Sequence, residues 1–406
     1  MSLVAPPLAL YVHLPWCVRK CPYCDFNSHA SPARGIPEQA YLGALLDDLE
    51  FASRGCEGRP LVSIFFGGGT PSLFSATSIG RVVERAVGLL GAAGGLEVTL
   101  EANPGTVERG RFAAYRDAGV TRVSLGAQSF DDRRLRDLGR IHARDETLAA
   151  VEELRAARLD NFNLDLMYAL PHQAVDDALA DLEQALALAP AHLSHYHLTL
   201  EPGTAFERRP PPLPDDETAH AMQDACQARL AAAGYHHYEV SAHALPGREC
   251  RHNLNYWSFG DYLGIGAGAH GKVTDAGSGT VVRTARVRQP ARYLAAPEAS
   301  QRIEQSRAVA RADLAFEFCL NALRLTDGFD VVSFEARTGQ PWESIAGVVA
   351  QARARGLLEP QPGGRWVPTV LGRSFLNDLQ AMFLPDGSRE TGTRGHKELA
   401  SPSPLE

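Results

Sequence analysis

The chain has 406 residues, 45% hydrophobic and 22% charged, with a formal net charge of −8. That is ordinary globular composition for about two to three domains, and its acidic balance argues against a general polyanion binder or a basic membrane-surface protein. No apolar run approaches the ~18 residues of a membrane span, the N-terminus "MSLVAPPLALYVHLPWC" lacks a basic region and cleavage site, and seven cysteines, an odd number, do not make a secreted disulfide framework. These features predict a soluble cytoplasmic protein with no transmembrane segment, whose thiols remain available as metal ligands.

In chain order, short β-rich runs at 8–14, 61–66, 96–101, 120–126, 161–167, 193–200 and 235–241 alternate with amphipathic helical patterns. The helices are predicted at 38–54, 76–90, 107–118, 144–158, 175–188 and 216–233. This alternation predicts about six βα units on a parallel sheet. A barrel-type parallel sheet carries its chemistry at the carboxyl ends of its strands, and unusual residues gather there. The first strand leads into "CVRKCPYC" (Cys17, Cys21, Cys24) and the second into "GGGTP" (67–71). The third ends in Glu101, the fourth in Gln128, the fifth carries Asp165, and the sixth ends in "TLEPGT" (199–204).

The pattern divides the chain into a barrel at 1–241, a Gly- and aromatic-rich segment without clean period at 242–306, and a small helical domain at 307–384. The last contains a hairpin and reads as winged-helix-like. Residues 385–406 are polar and Gly/Ser/Pro-rich, and are predicted to be disordered.

Three cysteines in eight residues are far denser than chance would place them. A structural zinc site completed by His13 or His29, or reactive thiols without metal, are the plain alternatives. Structural zinc usually pairs two short Cys-x-x-Cys clips, and the chain has no second clip. Spacing of three then two residues, on a loop leaving a barrel strand, suits three corners of a [4Fe–4S] cubane. The fourth iron then stays open to a ligand that is not protein.

CxxxCxxC after a first barrel strand resembles the signature of the radical S-adenosylmethionine (SAM) superfamily. The resemblance implies an α/β fold: a partial (β/α)6 TIM-type radical SAM barrel, followed by a mixed segment and a small winged-helix-like C-terminal domain. It implies that SAM chelates the open iron and that an electron from the cluster, delivered by a separate donor, can cleave it to a 5′-deoxyadenosyl radical. The match extends over nearly the whole chain and is closest to the coproporphyrinogen oxidase-like branch. It implies that Tyr11 and Tyr23 flank the cluster, that Gly68, Gly69 and Thr70 line the methionyl end of SAM, and that Glu101, Gln128, Arg140 and Asp165 complete its pocket. A planar guanidinium suits a carboxylate, and acidic or amide groups suit an ammonium or ribose hydroxyls.

The oxygen-independent coproporphyrinogen III oxidases of this branch carry a fourth cysteine two residues after the third and a longer N-terminal extension. Here that position is Phe26, and ten residues precede Tyr11. Both departures resemble the sister group, the HemW-type heme chaperones. "HNLNYW" matches that group's HNxxYW motif and implies heme contact by His252, Asn253, Tyr256 and Trp257. An imidazole can ligate heme iron and aromatics can pack on the macrocycle, with Cys250 and His270 as other candidate ligands; a buried His–Asn pair under an aromatic core is the plain alternative. The resemblance thus implies a heme chaperone with no assigned catalytic residue, whose partners are heme, apo-heme proteins and an electron donor. The oxidase is the alternative. Residues 307–384 hold eight arginines, no lysine and eight acidic residues, which disfavours a nucleic-acid-reading wing.

Overall fold

The computed structural model describes residues 2–105 and 110–385. The tail expected to be disordered lies, from 386 onward, outside the described residues.

Six strands follow the predicted alternation: β1 (Leu8–Leu14), β2 (Leu61–Gly68), β3 (Ala92–Ala102), β4 (Arg122–Gln128), β5 (Phe162–Tyr168) and β6 (His192–His197). They pair side by side, all parallel. The helices between them are α1 (Glu38–Ala52), α2 (Ala76–Leu90), α3 (Phe112–Asp117), α4 (Asp132–Asp137), α5 (Arg144–Ala156) and α6 (Val175–Ala187), and α7 (Asp216–Ala232) follows β6. Of the helix expected at 107–118, residues 107–109 lie outside the described residues, residue 110 is a turn, and α3 begins at Phe112. Every residue of β1 is buried, as a parallel strand covered on both faces requires. Strand carbonyl ends and helix starts are tied locally. At α2, for instance, Ser75 Oγ accepts from the Ser78 amide, satisfying one of the unpaired N–H groups of a first turn.

Two features depart from the sequence expectations. The run at 235–241 is not a seventh βα strand but the first arm of an antiparallel hairpin, β7 (His236–Glu239) with β8 (Ala242–Ala244), whose second arm pairs with β6. The aperiodic segment after it continues the same sheet. Helix α8 (Arg251–Trp257) leads to β9 (Asp261–Ile265), which lies parallel against the free side of β1. Then β10 (His270–Asp275), β11 (Thr280–Arg286) and β12 (Ile303–Ala308) extend it antiparallel. The result is one twelve-stranded sheet in the order β12-β11-β10-β9-β1-β2-β3-β4-β5-β6-β8-β7. An α/β sheet with six successive parallel strands at its centre is consistent with the partial barrel expected.

The extension is fastened by buried ion pairs. Asp261 on β9 accepts from Lys272 Nζ and Arg59 Nη2, each at 2.7 Å, and from the Thr274 amide at 2.8 Å. Arg286 on β11 reaches back to Asp48 on α1 at 2.9 Å.

The C-terminal part packs α9 (Leu314–Ala322), α10 (Val331–Thr338) and α11 (Glu343–Ala354) with a three-stranded sheet. In that sheet β13 (Phe329–Asp330) pairs with β15 (Arg365–Pro368), which pairs with β14 (Leu358–Gln361). Its core, built on Phe318, Phe334, Val349 and Leu379, also takes in Leu3, Phe259 and Val281 from the rest of the chain. Among the described residues no helix is long and apolar enough to cross a membrane.

Candidate functional site

The segment after β1 is a closed loop. Trp16–Cys17 pairs in parallel with His29–Ala30 at its base, and Ser31 donates to the Cys17 carbonyl from both its amide (2.8 Å) and its hydroxyl (3.0 Å). The tip is pinned by Asn27, whose Nδ2 donates to the Ala267 and Arg288 carbonyls, each at 2.9 Å. Those acceptors belong to the β9–β12 extension, so the extension holds the cysteine loop in place. Gly268, at φ +86°, leaves the room: a Cβ there would stand 2.2 Å from Asn27 Nδ2.

All seven cysteines are free thiols, and Cys17, Cys21 and Cys24 are the three that are not buried. They line one cavity of about 1150 Å³ together with Tyr23, Gly68, Gly69, Thr70, Glu101, Gln128, Arg140 and Asp165. Partial burial pushes the Cys17 thiol up to about 11 and the Cys24 thiol above its ordinary value, so a metal there would displace protons. Arg140 Nη1 lies 3.7 Å from Cys21 Sγ, a cation suited to a thiolate-rich group. His13 is spoken for: its Nδ1 meets the Tyr11 hydroxyl at 3.0 Å and its Nε2 the Asn27 carbonyl at 3.1 Å. Among the described residues no three His, Cys, Asp or Glu side chains are gathered around a single metal-ion position; the three thiols opening on one cavity are the donors a [4Fe–4S] cluster would use.

The turn after β2 approaches this loop closely. The Gly69 amide donates to the Leu14 carbonyl at 2.9 Å and the Thr70 amide to the Trp16 carbonyl at 2.8 Å. A Cβ on Gly69 would sit 2.5 Å from the Trp16 oxygen, and Gly68 holds φ +112° against the His13 ring, a conformation open to glycine. The Gly68 amide donates to Glu101 Oε2 at 3.2 Å. Burial, then the Asp165 carboxylate, push the Glu101 carboxyl up to about 8. Asp165 accepts from Asn163 at 2.7 Å and Ser124 at 3.1 Å, and burial raises its carboxyl as well.

Sequence reading missed the residues that connect these groups. Asn103 donates from Nδ2 to Thr70 Oγ1 at 2.8 Å and accepts from Arg140 Nη2 at its Oδ1. Arg140 also donates to the Gly126 carbonyl at 2.8 Å. Its Nε has no hydrogen-bond partner and its guanidinium no carboxylate partner among the described residues. A half-buried cation without a carboxylate partner fits an anionic ligand, here the carboxylate expected of SAM. Arg122, 2% exposed, lines the cavity and supplies positive charge beside Asp165 and Glu101. Tyr11 does not reach the cavity wall; it stacks on Phe65 with ring centroids 6.2 Å apart.

The HNxxYW residues fall on α8, and the structure separates them. Asn253, Tyr256 and Trp257 line the same cavity. Asn253 Oδ1 and Trp257 Nε1 are buried with no hydrogen-bond partner, while the Tyr256 hydroxyl donates to that of Tyr262 at 2.7 Å. These orphaned polar atoms around aromatic rings fit a large ligand with an apolar face and polar edges. His252 is enclosed behind them, 1% exposed and stacked on Phe65 at 4.9 Å, with Nδ1 3.0 Å from the Ser63 hydroxyl. Its Nε2 has no partner, and burial lowers its pKa to about 3. Cys250 lies outside the cavity wall, with Sγ 3.4 Å from Glu97 Oε1.

A family model described as the Radical SAM superfamily matches residues 11–201, and one described as the HemN C-terminal domain matches residues 309–375. The Heme chaperone HemW of Escherichia coli is 45% identical over 381 residues, covering 94% of this chain and 99% of that protein. Its namesake in Haemophilus influenzae is 44% identical over 385 residues, with coverages of 94% and 99%. The mitochondrial radical S-adenosyl methionine domain-containing protein 1 of Bos taurus is 41% identical over 286 residues, 69% of this chain and 64% of that protein. Among solved structures, coproporphyrinogen III oxidase (HemN) from Escherichia coli, described as a radical SAM enzyme, superposes with a TM-score of 0.77 at 20% identity over 93% of this chain and 90% of that one. At that identity the likeness speaks for the fold alone.

Proposed function

The chain belongs to the HemW heme chaperone family of radical SAM proteins, and from that premise we propose that it binds heme and delivers it to apo-proteins while carrying a [4Fe–4S] cluster and SAM. The observation that carries this reading is the shared cavity: the cysteine loop, the SAM-type residues, and Asn253, Tyr256 and Trp257 all line one space of about 1150 Å³. That is larger than the roughly 300–1,000 Å³ of a typical single small-molecule site, which suits two ligands side by side.

Cys17, Cys21 and Cys24 would hold three irons, and Arg140, positioned by Asn103 and the Gly126 carbonyl, would take the SAM carboxylate. Glu101 and Asp165 would face its ammonium or ribose, their carboxyls anchored by the Gly68 amide and by Asn163 and Ser124. The cluster, when bound, supplies one-electron chemistry at the sulfonium of SAM. Tyr256 and Trp257 would pack on the heme macrocycle. Ligation by His252 requires its ring to leave the Ser63–Phe65 socket, and otherwise the imidazole supports that wall from behind.

Two assays on one preparation test the reading. Anaerobically reconstituted protein, titrated with heme, should give a saturable Soret change at about one heme per chain. With coproporphyrinogen III, SAM and reductant it should give no decarboxylation. Robust decarboxylation with no saturable heme binding would reject the chaperone in favour of the oxidase.

A further inference from the structure

The motif histidine is enclosed behind the cavity wall, yet three other imidazoles line the cavity itself: His195, His197 and His243. We propose that His195, on β6, supplies the axial nitrogen to the iron of the bound heme, with His252 a supporting residue of the wall. This inference rests on the heme reading above and assigns the iron ligand within it.

The surroundings of His195 are the main support. The residue is 7% exposed and lines the cavity, and its ring makes no hydrogen bond or ion pair among the described residues. Its backbone, by contrast, is fixed. The amide donates to the Ser241 carbonyl at 2.8 Å, and the residue stands opposite Leu166 in the parallel register of β5 and β6. Tyr168 stacks on the imidazole with ring centroids 4.6 Å apart, which sets the plane of the ring without using either nitrogen. Burial lowers its pKa to about 4, so near neutral pH the ring is uncharged and keeps a lone pair for a metal. A macrocycle supplies the in-plane nitrogens of its own iron, so one protein imidazole suffices.

The other two imidazoles are placed less well. His243 stacks on His237 at 4.3 Å, and both its ring nitrogens are enclosed without a partner, so it would have to turn out of that stack. His197 is exposed and stacks on the same Tyr168 at 5.2 Å; it offers a nitrogen but no enclosure. The aromatic part of the site is also stitched to the His195 wall. Leu325 packs against Tyr256 and Trp257 and bridges to Glu239, and the Thr326 amide donates to the Tyr238 carbonyl at 3.0 Å. Tyr238 and Glu239 belong to β7, in the hairpin whose turn holds the His195 amide. One short stretch thus joins the residues that would pack on the macrocycle to the strand that would hold its iron.

The test uses cluster-loaded full-length protein titrated with heme. It reads affinity together with the Soret-excited resonance Raman spectrum of the ferrous form, in which an iron–imidazole stretching band reports the ligand. Wild type should show that band. His195→Ala should lose it and bind heme more weakly, and free imidazole added to this variant should restore it by occupying the vacated place. His195→Gln, closer in size to the native ring, separates ligation from packing and should lack the band as well. His252→Ala should weaken heme binding through the wall it supports and yet keep the band. A band that survives in both His195 variants, or one absent from heme-bound wild type, overturns the assignment and leaves the heme reading intact. So does a band lost in His252→Ala, His243→Ala or His197→Ala but kept in His195→Ala. No saturable heme binding by wild type overturns both.

Discussion

Arg140 is the residue whose environment states its role most directly. Asn103, the Gly126 carbonyl and Cys21 fix its guanidinium, yet no carboxylate among the described residues meets it. Arg140→Lys loses the planar fork, and SAM affinity measured by equilibrium binding should fall about 10- to 150-fold. Glu101 makes a pH prediction. Its carboxyl sits near 8 in the folded chain, against roughly 4.3 when unfolded. Between those values the folded state holds the extra proton, so this group's contribution to stability falls as pH rises from about 4.5 to 8. In protein without added SAM, Glu101→Gln should flatten the decline in melting temperature over that window relative to wild type; parallel curves would show that the carboxyl is ionised throughout. His252→Ala should greatly weaken heme binding with iron–sulfur content intact. Because the ring fills space against Phe65, the same variant should also melt lower.

At the scale of elements, the cysteine loop depends on a distant part of the chain. Replacing Cys17, Cys21 or Cys24 by Ala should remove most of the roughly four irons per chain expected of a cubane. The same change at buried Cys56, Cys226 or Cys319 should leave iron content unchanged, as an iron assay after anaerobic reconstitution would show. Asn27→Ala cuts the loop's bonds to Ala267 and Arg288, and should speed iron loss to a chelator without preventing cluster assembly. The six βα units were legible because each strand and helix keeps its own period, and the cysteine spacing and "GGGTP" are local patterns. Residues 242–306 were not legible as sheet. β9 has five residues, the turn after it carries Gly266 and Gly268, and its parallel partner is β1 near the start of the chain, so no local period marks it. Asn103, Asn163 and Ser124 were missed because a neutral polar residue near a strand end carries no sequence signal; only the hydrogen bonds reveal them. The enclosure of His252 could not be read from HNxxYW, since the pattern fixes helical spacing but not which face meets Phe65.

For the whole molecule, buried charge joins the extension to the barrel. Asp261, itself fully buried, gathers Lys272, Thr274 and the partly exposed Arg59. Asp261→Ala leaves two cations facing each other without an anion, and should cost about 3–5 kcal/mol in a urea titration. Exposed pairs such as Arg85–Glu50 should cost under about 1 kcal/mol when broken. The parallel pairing of β1 with β9, from Leu8 opposite Asp261, also sets a clock. A ribosome adding about 5–20 residues per second needs roughly 13–50 seconds to pass from one strand to the other. Throughout that interval one side of β1 lacks its neighbour, and the cysteine loop it feeds lacks the Ala267 and Arg288 carbonyls that anchor Asn27. The loop's anchored geometry therefore cannot form on a nascent chain shorter than about three quarters of the protein, and stable insertion of the proposed cluster would fall late in synthesis or after release.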